Sequence, residues 1–379
     1  MENENQGVHT GTAAPKDRRI RVLVVDDSAI VRKILTETLS REPDFEVVGT
    51  APDPYVARDK ILALQPDVLT LDIEMPRMDG LTFLRNLMEH RPMPVIVVSS
   101  VGESNCRAAV RALELGAVDV LTKPGGPYSV GELQESLARR VRAAAVARLR
   151  GPSSMPPAAA PIQPPKESIV RRKPVRAARA PSGVPAPLVA IGASTGGTEA
   201  IRQILRGLEP DSAGYLIAQH IPAHFSAAFA HGLSTICSLE VREAKDGDVV
   251  QPGRVLVAPG NFHMLLRRDA RGYYVNVIDG PLVCYQRPSV DVLFSSVASA
   301  AGKEAIGILL TGMGNDGASG LLQMRKAGAW TAAQDEASSV VFGMPREAIR
   351  LGAAESVMSL ERIADMLAST NAGVSVEAR

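Results

Sequence analysis

Cysteine is scarce in this chain. Its 379 residues include three, at 106, 237 and 284. Their odd number and wide spacing argue against a disulfide framework and against a cysteine-rich zinc site. Aromatics make up 4% of the sequence, with a single Trp, so the cores must be aliphatic. Net charge is nearly absent: 42 Lys and Arg oppose 41 Asp and Glu, which disfavours nucleic-acid binding by the chain as a whole. No run approaches the roughly 18 apolar residues of a membrane-spanning helix, so no membrane insertion is expected. The opening MENENQGVHTGTAAPKD lacks the apolar core of a secretory signal, which points to a cytoplasmic location.

With 45% apolar and 22% charged residues, the chain reads as globular and long enough for two domains. Residues 151–187 hold ten of the 27 prolines and no Phe, Trp or Tyr. Such a stretch cannot bury enough apolar surface to offset its ordering entropy, so it reads as a linker. Inside it, KESIVRRKPVRAAR (166–179) carries six basic residues against one acid. A solvated tether is the first reading, an electrostatic contact for an acidic partner the second. The expected division is a disordered leader at 1–18, a first domain at 19–150, a Pro-rich basic linker at 151–184 and a second domain at 185–372.

In the first half, apolar β-rich runs alternate with helical patterns: RVLVV then AIVRKILTETL, FEVVGT then PYVARDKILAL, DVLTLD then LTFLRNLMEH, PVIVVSS then NCRAAVRALELG, and finally DVLTK. This alternation predicts a parallel sheet covered on both faces. Functional crevices of such sheets lie at the carboxyl ends of the strands. Asp26 and Asp27, Asp72, Ser99 and Lys123 all fall there. Carboxylates gathered this closely repel one another, and a hard divalent cation such as Mg²⁺, held by oxygens, resolves the repulsion. Asp72 beside Lys123 is then an anionic nucleophile suited to accept a phosphoryl group.

This five-part set, with the Lys123–Pro124 step and LDIEMPRMDGLTFL (71–84), resembles the flavodoxin-like receiver domain of response regulators. The resemblance implies that Asp72 is the phospho-acceptor and that Asp26, Asp27 and Asp72 hold Mg²⁺. It also implies that Lys123 contacts the phosphoryl group, and that Ser99 is the switching hydroxyl. The fifth strand, DVLTK, lacks the aromatic that usually moves with that hydroxyl.

In the second half, PLVAIGASTGGTEAIRQILRGL (187–208) reads as strand, glycine-rich turn and helix. Gly192, Ser194 and Gly196 match G-x-S-x-G, a turn that lifts a serine above a sheet and offers N–H groups to an oxyanion. The spacing fits neither G-x-G-x-x-G nor G-x-x-x-x-G-K-[ST]. On this motif alone a purely structural turn stays open. A nucleophilic serine needs a base and an orienting acid. His220 stands at the end of the strand YLIAQ, His263 is the alternative base, and His224 and His231 read as residues of a following helix. Asp316 follows the strand AIGILL within TGMGNDGASG. The order Ser, His, Asp differs from that of an α/β-hydrolase. It therefore favours a Rossmann-like doubly wound parallel sheet with its own triad order. Residues 253–279 alternate with period two and predict an antiparallel hairpin appended to the sheet. Arg287 is a candidate to border the crevice.

IGASTGGTEA, AQHIP, VLVAPGNFHM, RPSVDVLF and LTGMGNDGASGL resemble the motifs of the chemotaxis protein-glutamate methylesterase (CheB) family. The resemblance spans nearly the whole chain. It implies Ser194 as nucleophile, His220 as general base and Asp316 as the group orienting it, with no cofactor for the esterase. It implies oxyanion donors near Thr195, and a receiver that covers the crevice until Asp72 is phosphorylated. The implied substrates are methyl-esterified glutamates, and selected glutamines, on chemoreceptor cytoplasmic helices. The implied phosphodonor is a chemotaxis histidine kinase, in two-component adaptation. Two other classes compete. A DNA-binding regulator would need a smaller, more basic output half, and a catalytically idle scaffold would not need all three catalytic residues.

Overall fold

The computed structural model describes residues 18–123, 130–149 and 188–370. The predicted leader up to residue 17, the predicted linker, Pro124 and the last nine residues lie outside them.

Short aliphatic runs form buried strands, and polar caps start the helices between them. In the first sheet, β1 (Ile20–Val25), β2 (Phe45–Ala51), β3 (Val68–Asp72), β4 (Val95–Ser99) and β5 (Asp119–Thr122) are parallel, in the order β2-β1-β3-β4-β5. Between them run α1 (Ala29–Ser40), α2 (Pro54–Leu64), α3 (Gly80–His90) and α4 (Glu103–Glu114), and α5 (Val130–Ala145) follows β5. Side chains of Ser28, Asp53 and Asp79 accept from backbone N–H groups of α1, α2 and α3, satisfying donors that helix starts leave free.

The second sheet is also parallel. It has seven strands: β6 (Leu188–Ala193), β7 (Gly214–Gln219), β8 (Glu240–Glu243), β9 (Arg254–Val257), β12 (Ala305–Leu309), β13 (Trp330–Gln334) and β14 (Ser356–Met358). Their order is β14-β13-β12-β6-β7-β9-β8. Helices α6 (Gly197–Arg206), α7 (Phe225–Ser234), α8 (Val290–Ala300), α9 (Ala318–Lys326), α10 (Met344–Arg350) and α11 (Leu360–Thr370) complete the second unit. The chain leaves β6 toward β7 on one side and later returns to β12 on the other, so the sheet's switch point falls beside β6.

Two expectations need correction. The expected antiparallel hairpin is present, but it takes only the second part of the 253–279 stretch and forms a sheet of its own. β9 pairs in parallel with β7 and β8, while β10 (His263–Asp269) and β11 (Gly272–Ile278) form a separate antiparallel ribbon. Alternation alone does not reveal the partner of a strand. His224 is not inside a helix: it precedes α7 with a left-handed backbone, φ 71.

The two units pack together. Apolar residues of α4 (Cys106, Val110, Leu113) join Phe225, Phe229 and Leu233 of α7 in one continuous buried cluster. Around this core, Arg202 of α6 pairs with Glu114 of α4, and Arg148 just past α5 pairs with Glu336 at 2.7 Å.

Candidate functional site

β6 ends in the turn that carries Ser194. The Ser194 N–H donates to Thr311 O at 3.0 Å, and Gln219 Nε2 donates to Ser194 O at 2.8 Å. Thr311 Oγ1 donates to Thr195 O at 3.0 Å, so two neighbouring strand ends grip the turn. Gly196 has φ +78, and a Cβ there would lie 2.5 Å from Val340 Cβ. Both the conformation and the space therefore require glycine.

His220 sits one residue past β7, its own N–H bonded to Ala193 O at 3.0 Å. Its ring is buried, and Nε2 lies 2.7 Å from Asp316 Oδ2. Its Nδ1 is buried and has no hydrogen-bond partner among the described residues. Ser194, Thr195 and His220 line one small cavity with Met313. The ring thus gives one nitrogen to the acid and leaves the other without a partner among the described residues.

Asp316, in the turn before α9, meets the N-terminus of α8. It accepts from Ser289 Oγ at 2.8 Å, Val290 N–H at 2.8 Å and Asp291 N–H at 3.0 Å. Burial alone would raise its pKa; the bond from His220 and those backbone donors outweigh burial and hold the carboxyl below its usual range. A carboxylate kept ionised this way can fix the tautomer and orientation of the imidazole.

His263 does not compete as base. Its Nε2 donates to Pro281 O at 2.9 Å and its Nδ1 accepts from Ser289 N–H at 3.2 Å. Arg287 does border the groove that His220 lines. It is a clamp, donating to Asn261, Asp279 and Gly280 O. Sequence reasoning missed Gln219, Ser289 and Thr311. They stand inside the motifs AQHIP, RPSVDVLF and LTGMGNDG, but Gln219 and Thr311 support Ser194 and Thr195 from 25 and 116 positions away.

The second centre lies at the carboxyl edge of the first sheet. Lys123 Nζ is 2.9 Å from Asp26 Oδ2 and 2.8 Å from Asp72 Oδ2. Carboxylate oxygens of Asp26, Asp27 and Asp72 lie within 4.8 Å of one another. Burial, and then the charge of Asp26, push the Asp72 carboxyl up to about 6 despite the pull of Lys123. Three hard oxygen donors crowded at this range suit a divalent cation such as Mg²⁺. Ser99 ends β4 beside Asp72, buried, with Oγ 3.5 Å from Ser100 O. Val120, in β5, is fully buried.

The first unit reaches the Ser194 turn across the interface. Asp119, the first residue of β5, accepts from Arg140 and from Thr195 Oγ1 at 3.1 Å. Arg139 and Arg140 of α5 line the cavity that contains Ser194 and His220.

Fold and site together define a receiver joined to an α/β enzyme domain. Comparison with known proteins agrees. A CheB methylesterase family model matches residues 189–367, and a response regulator receiver domain model matches residues 22–135. A Syntrophus aciditrophicus protein named protein-glutamate methylesterase/protein-glutamine glutaminase 2 is 53% identical over 92% of this chain and 98% of its own length. A counterpart from Anaeromyxobacter dehalogenans, numbered 4, is 54% identical over 93% of this chain and 95% of its own. The crystal structure of the Thermotoga maritima CheB methylesterase catalytic domain is 32% identical, with a TM-score of 0.48, covering 49% of this chain and 100% of that one. The chain belongs to the protein-glutamate methylesterase/protein-glutamine glutaminase (CheB) family.

Proposed function

We propose that this protein is a phosphorylation-activated esterase. It hydrolyses γ-glutamyl methyl esters on the cytoplasmic helices of chemoreceptors and deamidates receptor glutamines at the same site. The observation that carries this reading is the buried His220, bonded through Nε2 to Asp316 with Nδ1 left without a partner among the described residues, in a cavity that Ser194 also lines.

In the reaction, His220 Nδ1 takes the proton of Ser194 Oγ as the oxygen attacks the ester carbonyl carbon. The resulting oxyanion is held by N–H donors of the turn around Thr195; one such donor is worth on the order of 10²–10³ in rate. The imidazolium, stabilised by Asp316, returns the proton to the methoxy group, and methanol leaves. A water molecule, deprotonated by His220, then attacks the acyl-enzyme, releasing the glutamate carboxylate and restoring Ser194. With glutamine the leaving group is ammonia.

Asp72 is the phospho-acceptor in this reading, and a histidine kinase of the chemotaxis system is the donor. Asp26, Asp27 and Asp72 would hold Mg²⁺, which supplies charge neutralisation during phosphoryl transfer. Lys123 pairs with the phosphoryl group, and Ser99 is the hydroxyl drawn toward it. The receiver inhibits in its docked arrangement, because α5 and Asp119 close the cavity of Ser194 and His220. Phosphorylation shifts the docking equilibrium, and a bias of about 1–3 kcal/mol suffices for a large change in activity. Receptor cytoplasmic helices place the enzyme in the cytoplasm. Among the described residues no helix is long and apolar enough to cross a membrane.

The test is methanol release from methylated receptor membranes by wild type and Ser194→Ala. Release by the wild type and none by the variant supports the reading. Equal release by both contradicts it.

A further inference from the structure

Between the hairpin β10–β11 and helix α8 the chain makes a tight turn. Val283 and Gln286 exchange two backbone hydrogen bonds, at 3.1 and 2.9 Å. The two residues between them, Cys284 (φ 51) and Tyr285 (φ 59), are both left-handed. This is the backbone of a type I′ turn, normally built from Asn and Gly because other side chains avoid it. The surrounding structure enforces it from both sides. On one leg, His263 donates from Nε2 to Pro281 O. On the other, Arg287 donates to Gly280 O and to Asn261. Cys284 turns inward, with Sγ 3.9 Å from Asp291 Oδ2. What remains outside is apolar: Leu282 is 60% exposed and Tyr285 75% exposed. With His220 both line one wall of a groove whose other wall is the receiver, Lys123 and Arg139 among it, so release of the receiver opens that wall.

A strained backbone held by its neighbours, presenting a large Tyr and a Leu beside a reactive centre, is the form of a recognition element rather than of a passive loop. Rigidity matters here, since an anchor already fixed loses little entropy on binding. The receiver itself already seats on this turn: Arg139 donates to Tyr285 O at 3.5 Å and, with the Gln286 amide oxygen turned toward it, to Gln286 at 2.7 Å. A polypeptide surface therefore fits there.

We infer that the turn at 282–287 reads the polypeptide around the scissile ester, with Leu282 and Tyr285 as specificity-determining side chains. This inference rests on the ester-hydrolase reading above. The occupant is the ester-bearing receptor helix. Its apolar side chains flanking the modified glutamate pack against Leu282 and Tyr285 while the glutamate enters the groove toward Ser194. In the docked arrangement the receiver contacts the same turn, so inhibition and substrate binding compete for it.

The test compares two substrates for the full chain, with phosphodonor and Mg²⁺ present so that the receiver is released. One is methylated receptor in membranes, the other p-nitrophenyl acetate, a small ester with no flanking polypeptide. For Leu282→Ala/Tyr285→Ala, the ratio of kcat/KM on receptor to kcat/KM on the small ester falls about tenfold or more through KM, as expected on losing apolar interface anchors. Tyr285→Phe keeps the ratio of the wild type. A parallel loss on both esters would mean that the turn only shapes the catalytic centre, and an unchanged ratio would mean that the tip is inert; either overturns the inference. If the wild type hydrolyses p-nitrophenyl acetate but releases no methanol from receptors, the substrate reading itself fails, and this inference with it.

Discussion

Thr195 and Asp119 belong to different units, yet Thr195 Oγ1 donates to Asp119 Oδ2 at 3.1 Å. Thr195 follows the serine of the glycine-rich turn. Asp119 opens β5, and Lys123, which touches Asp72, stands just past the other end of that four-residue strand. One short strand thus links the two chemical centres. A shift of β5 registered at Lys123 reaches the turn of Ser194 without a long relay, which gives the proposed control by phosphorylation a physical route.

Interface pairs should therefore set the activity of the unphosphorylated protein. Arg202 and Glu114 are only 9% and 16% exposed, while Arg148 and Glu336 are 57% and 59% exposed. Breaking a buried pair costs more than breaking a solvated one. Glu114→Gln is expected to raise phosphodonor-independent methanol release about tenfold or more, and Arg148→Ala no more than about threefold, in line with exposed pairs worth about 0–1 kcal/mol. Steady-state assays without phosphodonor check both. An equal rise in the two variants would mean that burial of the pair does not govern docking.

At Gly196 a methyl group is expected to be damaging. Gly196→Ala forces a left-handed alanine and brings its Cβ to 2.5 Å from Val340. The strain and overlap should cost about 2–4 kcal/mol and displace the Ser194 turn. Thermal unfolding and ester hydrolysis of the variant check this, and wild-type values in both would contradict the geometry given for the turn.

Much of this was legible in the sequence. The placement of Asp26, Asp72 and Lys123 at strand ends, and of Ser194 in the glycine-rich turn after a strand, was readable because alternating apolar runs mark where parallel strands end. Local pattern could not reveal long-range pairing. The short polar strands EVRE and SVM of β8 and β14 carry too few apolar residues to stand out, and β9 looked like the arm of a hairpin until its neighbours were known. Nor could sequence show which nitrogen of His220 meets Asp316. The contact between Asp119 and Thr195 was hidden for a related reason: it joins residues 76 positions apart, neither of which looks unusual in its own segment.

Acid should remove a contribution that Asp316 makes to stability. Its folded pKa lies below the ordinary 3.8. The contribution is therefore complete above that value and is lost as pH falls through the folded pKa. Asp316→Asn lacks it at every pH. The gap in Tm between wild type and Asp316→Asn is predicted to be widest near pH 6 and to narrow as pH falls below about 4. A gap that stays constant to pH 3 would contradict an ionised, donor-saturated Asp316.

Cys284 should be a slow thiol. Burial, followed by the charges of Asp316 and Asp291, pushes it up to about 11. At pH 8 only about one thiol in a thousand is then ionised. Alkylation by iodoacetamide at Cys284, followed by peptide mass spectrometry, is expected to lag free cysteine by about a hundredfold or more. Labelling at the rate of free cysteine would contradict the acidic surroundings described for this turn.

The most direct test of the account is methanol release from methylated receptor membranes by wild type and Asp72→Asn, each with and without a small phosphodonor and Mg²⁺. The account predicts low release by both proteins without phosphodonor, strong stimulation of the wild type by it, and none of Asp72→Asn. Stimulation of Asp72→Asn to the wild-type level, or full wild-type activity without phosphodonor, would contradict it.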